Sequence, residues 1–345
     1  MDLRQFGWND FFWQQYVHGT PARVAAANRD RFVVWTEAGE MEAEPSGMLR
    51  YASPLWPAVG DWVLLREDGP VIERVLQRRT TLSRRQPGRV TSEQVMAANI
   101  DVLFIVTAIG LEYNPRRLER YLVVARESGA RPVILLNKAD LALATGFDLD
   151  ALQMQARALA GDAPVFTLSA QTDPALDVLA AQLLPGETAA LIGSSGVGKS
   201  TILNRLLGAD RQRTSHVRAA DDRGRHTTTT REMFLIEGGA LLIDMPGLRE
   251  VQLWADDKAI DAGFLDIQQL AAECRFRDCR HAGEPGCAVL QSGLDETRLA
   301  NYHKMRRELD YLDRKDDPQL ERQTKAKWKV IHKAMRNHSK GGPGS

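Results

Sequence analysis

Gly193-Ser194-Ser195-Gly196-Val197-Gly198-Lys199-Ser200 is the stretch that decides the fold. It fits G-x-x-x-x-G-K-[ST], a loop whose glycines let successive backbone N–H groups turn toward phosphate oxygens. The apolar run Ala189 to Ile192 precedes it, and a helical pattern from Lys199 to Leu207 follows. That strand-loop-helix setting brings the field of a helix N-terminus onto the same anion. In such a loop Lys199 reaches the β- and γ-phosphates and Ser200 supplies a magnesium ligand, with Thr201 next in the helix's first turn. A plain Gly-rich turn is the bland alternative, and it leaves the flanking strand and helix without a reason.

Outward from the loop, apolar strands alternate with helices. Val102 to Val106, Val133 to Leu136 and Pro164 to Leu168 read as strands, followed by helices near Pro115–Ser128, Asp150–Ala160 and Pro174–Leu184. Such alternation predicts a mostly parallel sheet covered by helices. Met233 to Ile236 and Leu241 to Ile243 flank Gly238-Gly239 and predict a hairpin.

Three further strings fall at strand ends. Asn137-Lys138-Ala139-Asp140 follows Val133 to Leu136. A carboxylate at Asp140 is acceptor-only, so it matches the adjacent N1–H and 2-NH2 of guanine and faces the N1 lone pair of adenine repulsively. Lys138 can lay its stem over the base and Asn137 can tie the loop together; alone, the string is also compatible with a helix-capping turn. Ser169-Ala170 ends the next strand, where a backbone N–H can meet guanine O6. Asp244-Met245-Pro246-Gly247 matches D-x-x-G, with Asp244 holding magnesium through water and the Gly247 N–H sensing the γ-phosphate. Between the two lies Arg225-His226-Thr227-Thr228-Thr229-Thr230, where a threonine ligand to magnesium is expected. Thr228 is favoured, with Thr227 and Thr229 as alternatives. Together these strings describe a site for GTP or GDP with Mg2+. Their order is permuted: the guanine strings precede the phosphate loop, whereas common GTPases run the other way. The end of D-x-x-G therefore feeds directly into the C-terminal segment.

The flanks differ in texture. Residues 20 to 90 hold ARVAAA, RFVVWT, DWVLLR and VIERVL, short strands broken by turns such as Glu44-Pro45-Ser46-Gly47, which suggest a small barrel. Trp8, Phe11, Phe12, Trp13 and Tyr16 are read as packing an N-terminal helix onto it. Late in the chain, Cys274, Cys279, His281 and Cys287 give C-x4-C-x-H-x5-C. Three thiolates and one imidazole suit one closed, tetrahedral structural zinc, free thiols being the alternative.

The 345 residues carry 45 Lys plus Arg against 45 Asp plus Glu, so the formal net charge is zero. That balance hides two basic stretches, six Arg from Arg74 to Arg89 and seven Lys or Arg from Arg322 to Lys340, neither containing an acid. Each is either phosphate-binding surface or a solvated face. Hydrophobic content of 43% without a run of about 18 apolar residues argues against a membrane span. The start, MDLRQFGWNDFFWQQ, lacks the pattern of a signal peptide, which predicts a cytoplasmic location. The final Gly-Gly-Pro-Gly-Ser is read as flexible and set aside.

These features together resemble the circularly permuted ribosome small-subunit-dependent GTPase A family (RsgA/YjeQ-type). The motif order, the Gly224-Arg225-His226-Thr227-Thr228 string and the cysteine spacing carry the resemblance, which covers nearly the whole chain. It implies an oligonucleotide-binding-type (OB-like) β-barrel over residues 1–95 that includes Val59-Gly60-Asp61-Trp62-Val63. It also implies a central α/β P-loop GTPase domain over 96–254 and a zinc-binding, basic helical domain over 255–345. Its further implications are a role in late maturation of the small (30S) ribosomal subunit, with 16S rRNA as a contact and Trp328 available for stacking. Nothing in the sequence points to an obligate dimer, so a monomer is expected. Hydrolysis is then stimulated by the subunit and promotes release; the alternative is a GTP-gated RNA-binding checkpoint in which hydrolysis only resets binding. Many GTPases place a glutamine after D-x-x-G to orient the attacking water. Leu248 stands there instead and can neither donate nor accept a hydrogen bond, so turnover by the protein alone should be slow. The resemblance points to His226 as the residue that orients water, against the plainer reading of a solvated loop histidine.

Overall fold

The computed structural model describes residues 2–51, 55–85, 93–110, 113–141, 146–171, 177, 179–208, 231–245 and 257–316. Among them the chain forms two compact units, Met1–Arg84 with Gln94–Trp254, and Arg85–Glu93 with Ala255–Ser345.

The first unit begins with a 3-10 turn, Leu3–Phe6, and helix α1, Asp10–Trp13. Five strands follow: β1 (Thr20–Asn28), β2 (Arg31–Thr36), β3 (Gly39–Pro45), β4 (Trp62–Leu65) and β5 (Val71–Val75), with helix α2 (Gly47–Tyr51) between β3 and β4. The order β1-β2-β3-β5-β4 closes on itself because the first half of β1 pairs β4, Thr20 opposite Leu65 and Arg23 opposite Trp62. Closure removes the free edges of a small sheet. Ala22, Val24, Phe32, Val34, Val63 and Ile72 fill the interior. Trp8 and Phe12 are buried and lie 4.7 Å and 5.8 Å from Trp62 between ring centroids, so the N-terminal aromatics do pack on the barrel. Trp13 and Tyr16 remain largely outside, 53% and 37% exposed.

A two-stranded sheet, β6 (Thr81–Arg85) with β7 (Glu93–Ala98), leads to the α/β part. That part holds β8 (Val102–Ala108), helix α3 (Pro115–Ser128), β9 (Arg131–Asn137), helix α4 (Leu149–Ala160), β10 (Val165–Thr167) and β11 (Thr188–Gly193). Helix α5 (Lys199–Leu206) and the hairpin β12 (Arg231–Leu235) and β13 (Leu241–Asp244) complete it. Strands β10-β9-β8-β11-β13 are parallel and β12 is antiparallel to β13. The apolar runs are strands buried on both faces: every residue of β8 and β11 is buried.

The barrel and the α/β sheet are one sheet. Beyond an irregularity between Val24 and Ala26, the edge of β1 that pairs β4 turns to β12, with Ala26 opposite Glu232 and Ala27 opposite Arg231. One buried cation secures the junction. The Arg23 guanidinium donates to the Phe6 carbonyl at 3.0 Å, the Asn99 carbonyl at 3.2 Å and Thr188 Oγ1 at 3.0 Å. Burial pulls its pKa down to about 10, and these acceptors stand in for lost water.

The second unit contains helices α6 (Asp257–Gly263), α7 (Leu265–Ala271), α8 (Ala288–Gln291) and α9 (Glu296–Asp316). Ile260, Phe264, Ile267, Val289 and Met305 are buried. Arg298 forks both nitrogens onto Asp266 at 2.6 Å while its guanidinium covers the Phe264 ring. Among the described residues no helix is long and apolar enough to cross a membrane.

Candidate functional site

The strand order places β11 between β8 and β13, so the loop after β11 has the ends of both neighbours beside it. Gly193 leaves β11 at φ 147°, and a Cβ there would sit 2.2 Å from the Val106 carbonyl oxygen of β8. Gly198 starts α5 at φ 102°, where a Cβ would lie 2.1 Å from Asn137 Nδ2. These two glycines are therefore demanded both by conformation and by close approach. Ser194 and Ser195 lie between them, Gly196 has φ 81°, and Val197 is buried. Ser200 and Thr201 stand exposed in the first turn of α5.

Lys199 curls back over this loop. Its Nζ donates to the Gly193 carbonyl at 2.7 Å and the Ser194 carbonyl at 2.6 Å. Burial pushes the ammonium down from its ordinary pKa, an effect that bound phosphate charge would reverse.

Asn137, the last residue of β9, ties three loops. Its Nδ2 donates to the Val197 carbonyl at 2.7 Å, and its Oδ1 accepts the Ala170 N–H at 2.9 Å. Lys138 then takes a left-handed φ of 66°. The Ala139 N–H donates to the Leu168 carbonyl at 3.1 Å. The Ser169 hydroxyl donates to Asp140 Oδ1 at 2.7 Å, and Arg205 of α5 donates to the Ala170 carbonyl at 2.9 Å. The structure thus brings Asn137, Asp140, Ser169, Ala170 and the phosphate loop into one connected cluster. Each carboxylate oxygen carries two lone pairs, so the Ser169 bond leaves both Asp140 oxygens able to accept. The Ala170 N–H already serves Asn137, so any contact with guanine O6 from that amide would share the donor.

Asp244 ends β13, half-buried and opposite Glu232 of β12. Thr228, with its alternatives Thr227 and Thr229, and His226, Gly247 and Leu248 lie outside the described residues, as do Trp328 and the basic stretch from Arg322 to Lys340. Of the first basic stretch, Arg78 forms a buried pair with Asp61 at 2.8 Å, a structural use that its sequence did not announce. Sequence motifs also did not flag Arg117 or Arg205, which reach the loops from helices and belong to no motif.

In the second unit, between α7 and α8, Cys274, Cys279, His281 and Cys287 present their ligand atoms within 4.8 Å of one another. Cys274 Sγ and Cys287 Sγ are 3.9 Å apart, and His281 Nδ1 lies 3.7 Å and 3.4 Å from them. Ligand bonds of about 2.3 Å for sulfur and 2.05 Å for nitrogen set tetrahedral edges near 3.8 Å and 3.6 Å. The cluster therefore fits zinc. Its loop is braced from behind: the Glu284 carboxylate accepts the N–H groups of Arg280 at 3.1 Å and Ala282 at 2.8 Å, on either side of His281. His303 Nε2 of α9 lies 3.3 Å from the His281 carbonyl oxygen.

The RsgA GTPase family model matches residues 75–254, more than half of the chain. The chain belongs to the RsgA GTPase family. A relative from Opitutus terrae, a small ribosomal subunit biogenesis GTPase RsgA, is 45% identical, the match covering 97% of each chain. One of the same name from Methanosarcina acetivorans is 42% identical over 92% of this chain and 87% of the relative. Among solved structures, YjeQ from Thermotoga maritima superposes with a TM-score of 0.60 at 26% identity, covering 83% of this chain and 96% of that one. YloQ, described as a circularly permuted GTPase, has the same fold, with a TM-score of 0.58 at 22% identity over 86% and 96%. The RsgA family implies GTP or GDP and Mg2+ as ligands, and in this chain Asn137–Asp140 precede the phosphate loop.

Proposed function

We propose that this chain binds GTP with Mg2+ and hydrolyses it to GDP and phosphate, slowly alone and faster on the small ribosomal subunit. Hydrolysis promotes release from a subunit late in maturation. One observation carries the guanine part: Asn137 bridges Val197 of the phosphate loop to Ala170, while Ser169 holds Asp140. Purine recognition and triphosphate recognition are thereby fixed relative to one another before any ligand arrives, which lowers the cost of binding. In this reading Asp140 accepts from guanine N1–H and 2-NH2, Lys138 covers the base, and Lys199 leaves the two carbonyls for the phosphates. Ser200, Thr228 and Asp244 hold magnesium, Gly247 senses the γ-phosphate, and His226 orients water. The small subunit as partner rests on the names of the relatives, 16S rRNA contact on the basic stretches and a cytoplasmic location on composition. A monomer is expected because nothing in the sequence points to an obligate dimer. Cys274, Cys279, His281 and Cys287 hold one structural zinc, which fixes the loop between α7 and α8.

GTP turnover measured with and without purified 30S particles tests the reading, with Lys199→Ala as the nucleotide-blind control in a sedimentation assay. The absence of any stimulation would remove the ribosomal part and leave the GTPase part standing. His226→Ala is expected to keep GDP affinity and to lose about a hundredfold in subunit-stimulated turnover, within the range of a positioned acid–base group. Undiminished stimulated turnover would rule out its role.

A further inference from the structure

Two cations converge on Ser194. Lys199 takes its carbonyl, and Arg117 Nη1 donates to its hydroxyl at 2.6 Å. Arg117 comes from the first turn of α3, 77 positions away in sequence. That turn contains no acidic residue and holds Arg116 and Arg117 together, although the field at a helix N-terminus favours anions over cations. Helix α5 likewise has no acid in its first turn and no side-chain cap. A serine hydroxyl uses one of the five N–H groups of a guanidinium and neutralises none of its charge. Placing exposed Arg117 here opposes the local field and gains one neutral acceptor, so the arrangement makes sense once an anion occupies the loop.

We propose that Arg117 is a γ-phosphate-binding cation supplied in cis by α3: with GTP bound, its guanidinium moves from Ser194 Oγ to oxygens of the γ-phosphate. The inference rests on the GTPase reading and adds a residue to that site. Charge-assisted hydrogen bonds to phosphate are about twice as strong as neutral ones and fit the planar fork. During hydrolysis water attacks the γ-phosphorus, the bond to the bridging oxygen breaks, GDP leaves with the electron pair, and the protons of the water stay with the phosphate product. Arg117 transfers no proton. It offers positive charge to the phosphate oxygens as negative charge redistributes over them in the loose transition state.

Arg117→Ala and Arg117→Lys in the full chain, assayed on 30S particles, test this. An arginine serving a GTPase site from another chain contributes about 10^3 to 10^5 in turnover, and an exposed one should contribute less. Arg117→Ala is therefore expected to lose about ten- to a hundredfold in single-turnover hydrolysis, with GDP affinity within about threefold of the unaltered protein. Affinity for GDP with aluminium fluoride should fall in step with the rate, and Arg117→Lys should recover part of both. Turnover equal to that of the unaltered protein would overturn the proposal. So would a fall in GDP affinity that parallels the fall in rate, which would make Arg117 a brace for the loop. If the unaltered protein bound no GTP, the GTPase reading itself would fail, and the wild-type control separates that case.

Discussion

Stripping zinc from the second unit is expected to unfold it while leaving GDP binding by the first unit in place. Structural zinc contributes about 10–16 kcal/mol of apparent binding free energy in small metal-folded peptides, against about 5–15 kcal/mol of net stability for a whole domain. Apart from the cluster, the second unit rests on helix α9 and a small apolar core of Ile260, Phe264, Ile267, Val289 and Met305. Three of its four described helices, Asp257–Gly263, Leu265–Ala271 and Ala288–Gln291, are 7, 7 and 4 residues long, too short to hold without packing. The loop carrying Cys274, Cys279 and His281 includes a left-handed His281 at φ 55°, a conformation that needs an external hold. The first unit, by contrast, keeps two apolar cores that contain none of these residues. Circular dichroism and GDP calorimetry after chelation, beside the same measurements on Cys287→Ser, give the comparison. Both treatments should remove helical signal and subunit binding, with GDP affinity little changed. Metal analysis of the untreated protein that finds no bound zinc would sink the reading, and so would a Cys287→Ser protein with full helical content.

The α/β part was legible because its signals are local. Val102 to Val106 and Ala189 to Ile192 are continuous apolar runs, and in the structure they are the buried cores of β8 and β11. Helix Pro115–Ser128 opens with Asn114, whose side chain accepts the Arg117 N–H, and closes at left-handed Gly129, the stop and start signals that sequence displays. The barrel was half legible. Strand β3, Gly-Glu-Met-Glu-Ala-Glu-Pro, alternates inward Met41, Ala43 and Pro45 with outward Glu40, Glu42 and Glu44; small or low-propensity inward residues muted the period. Sequences at β6 and β7 gave no strand reading for the same reason of mixed polarity, and their pairing depends on a partner.

What could not be read at all are the long-range decisions. Strand β1 divides one edge between β4 and β12, partners that lie roughly 40 and 200 residues further along the chain, and no local pattern encodes that choice. The result matters for function. The barrel is hydrogen-bonded to β12, which follows the Thr-rich stretch, and β12 pairs with β13, which ends at Asp244. Both segments expected to respond to the γ-phosphate therefore adjoin a hairpin stitched to the barrel. Arg23, buried among the Phe6, Asn99 and Thr188 acceptors, looks in sequence like any strand arginine. The motif residues of the site were visible; Arg117 and Arg205, which approach it from helices, were not, because a lone arginine has no spacing to betray it.

Asp140→Asn is expected to exchange guanine for xanthine. The Asp140 carboxylate can accept from N1–H and 2-NH2 at once, and a hydrogen bond to a charged group contributes about 1.5–3 kcal/mol. Two such bonds amount to about 3–6 kcal/mol, so GDP affinity should fall by about 10^2 to 10^4. An asparagine keeps one oxygen and replaces the other by NH2. The Ser169 hydroxyl, which donates to Oδ1 at 2.7 Å, would hold the remaining oxygen at that corner and leave the NH2 at the other. Guanine then meets one donor with another, and the unpaired groups are buried at a cost of about 1–3 kcal/mol each. Xanthine carries a carbonyl oxygen in place of 2-NH2, so the same exchange restores both bonds and XDP should bind better than GDP. Asn137 keeps its bonds to Val197 and Ala170 in the variant, so the phosphate loop stays in place and the change is confined to the base. Calorimetric titration of both proteins with GDP, XDP and ADP reads the outcome. A variant that still preferred GDP, or an unaltered protein that took ADP equally well, would place the purine somewhere other than against Asp140.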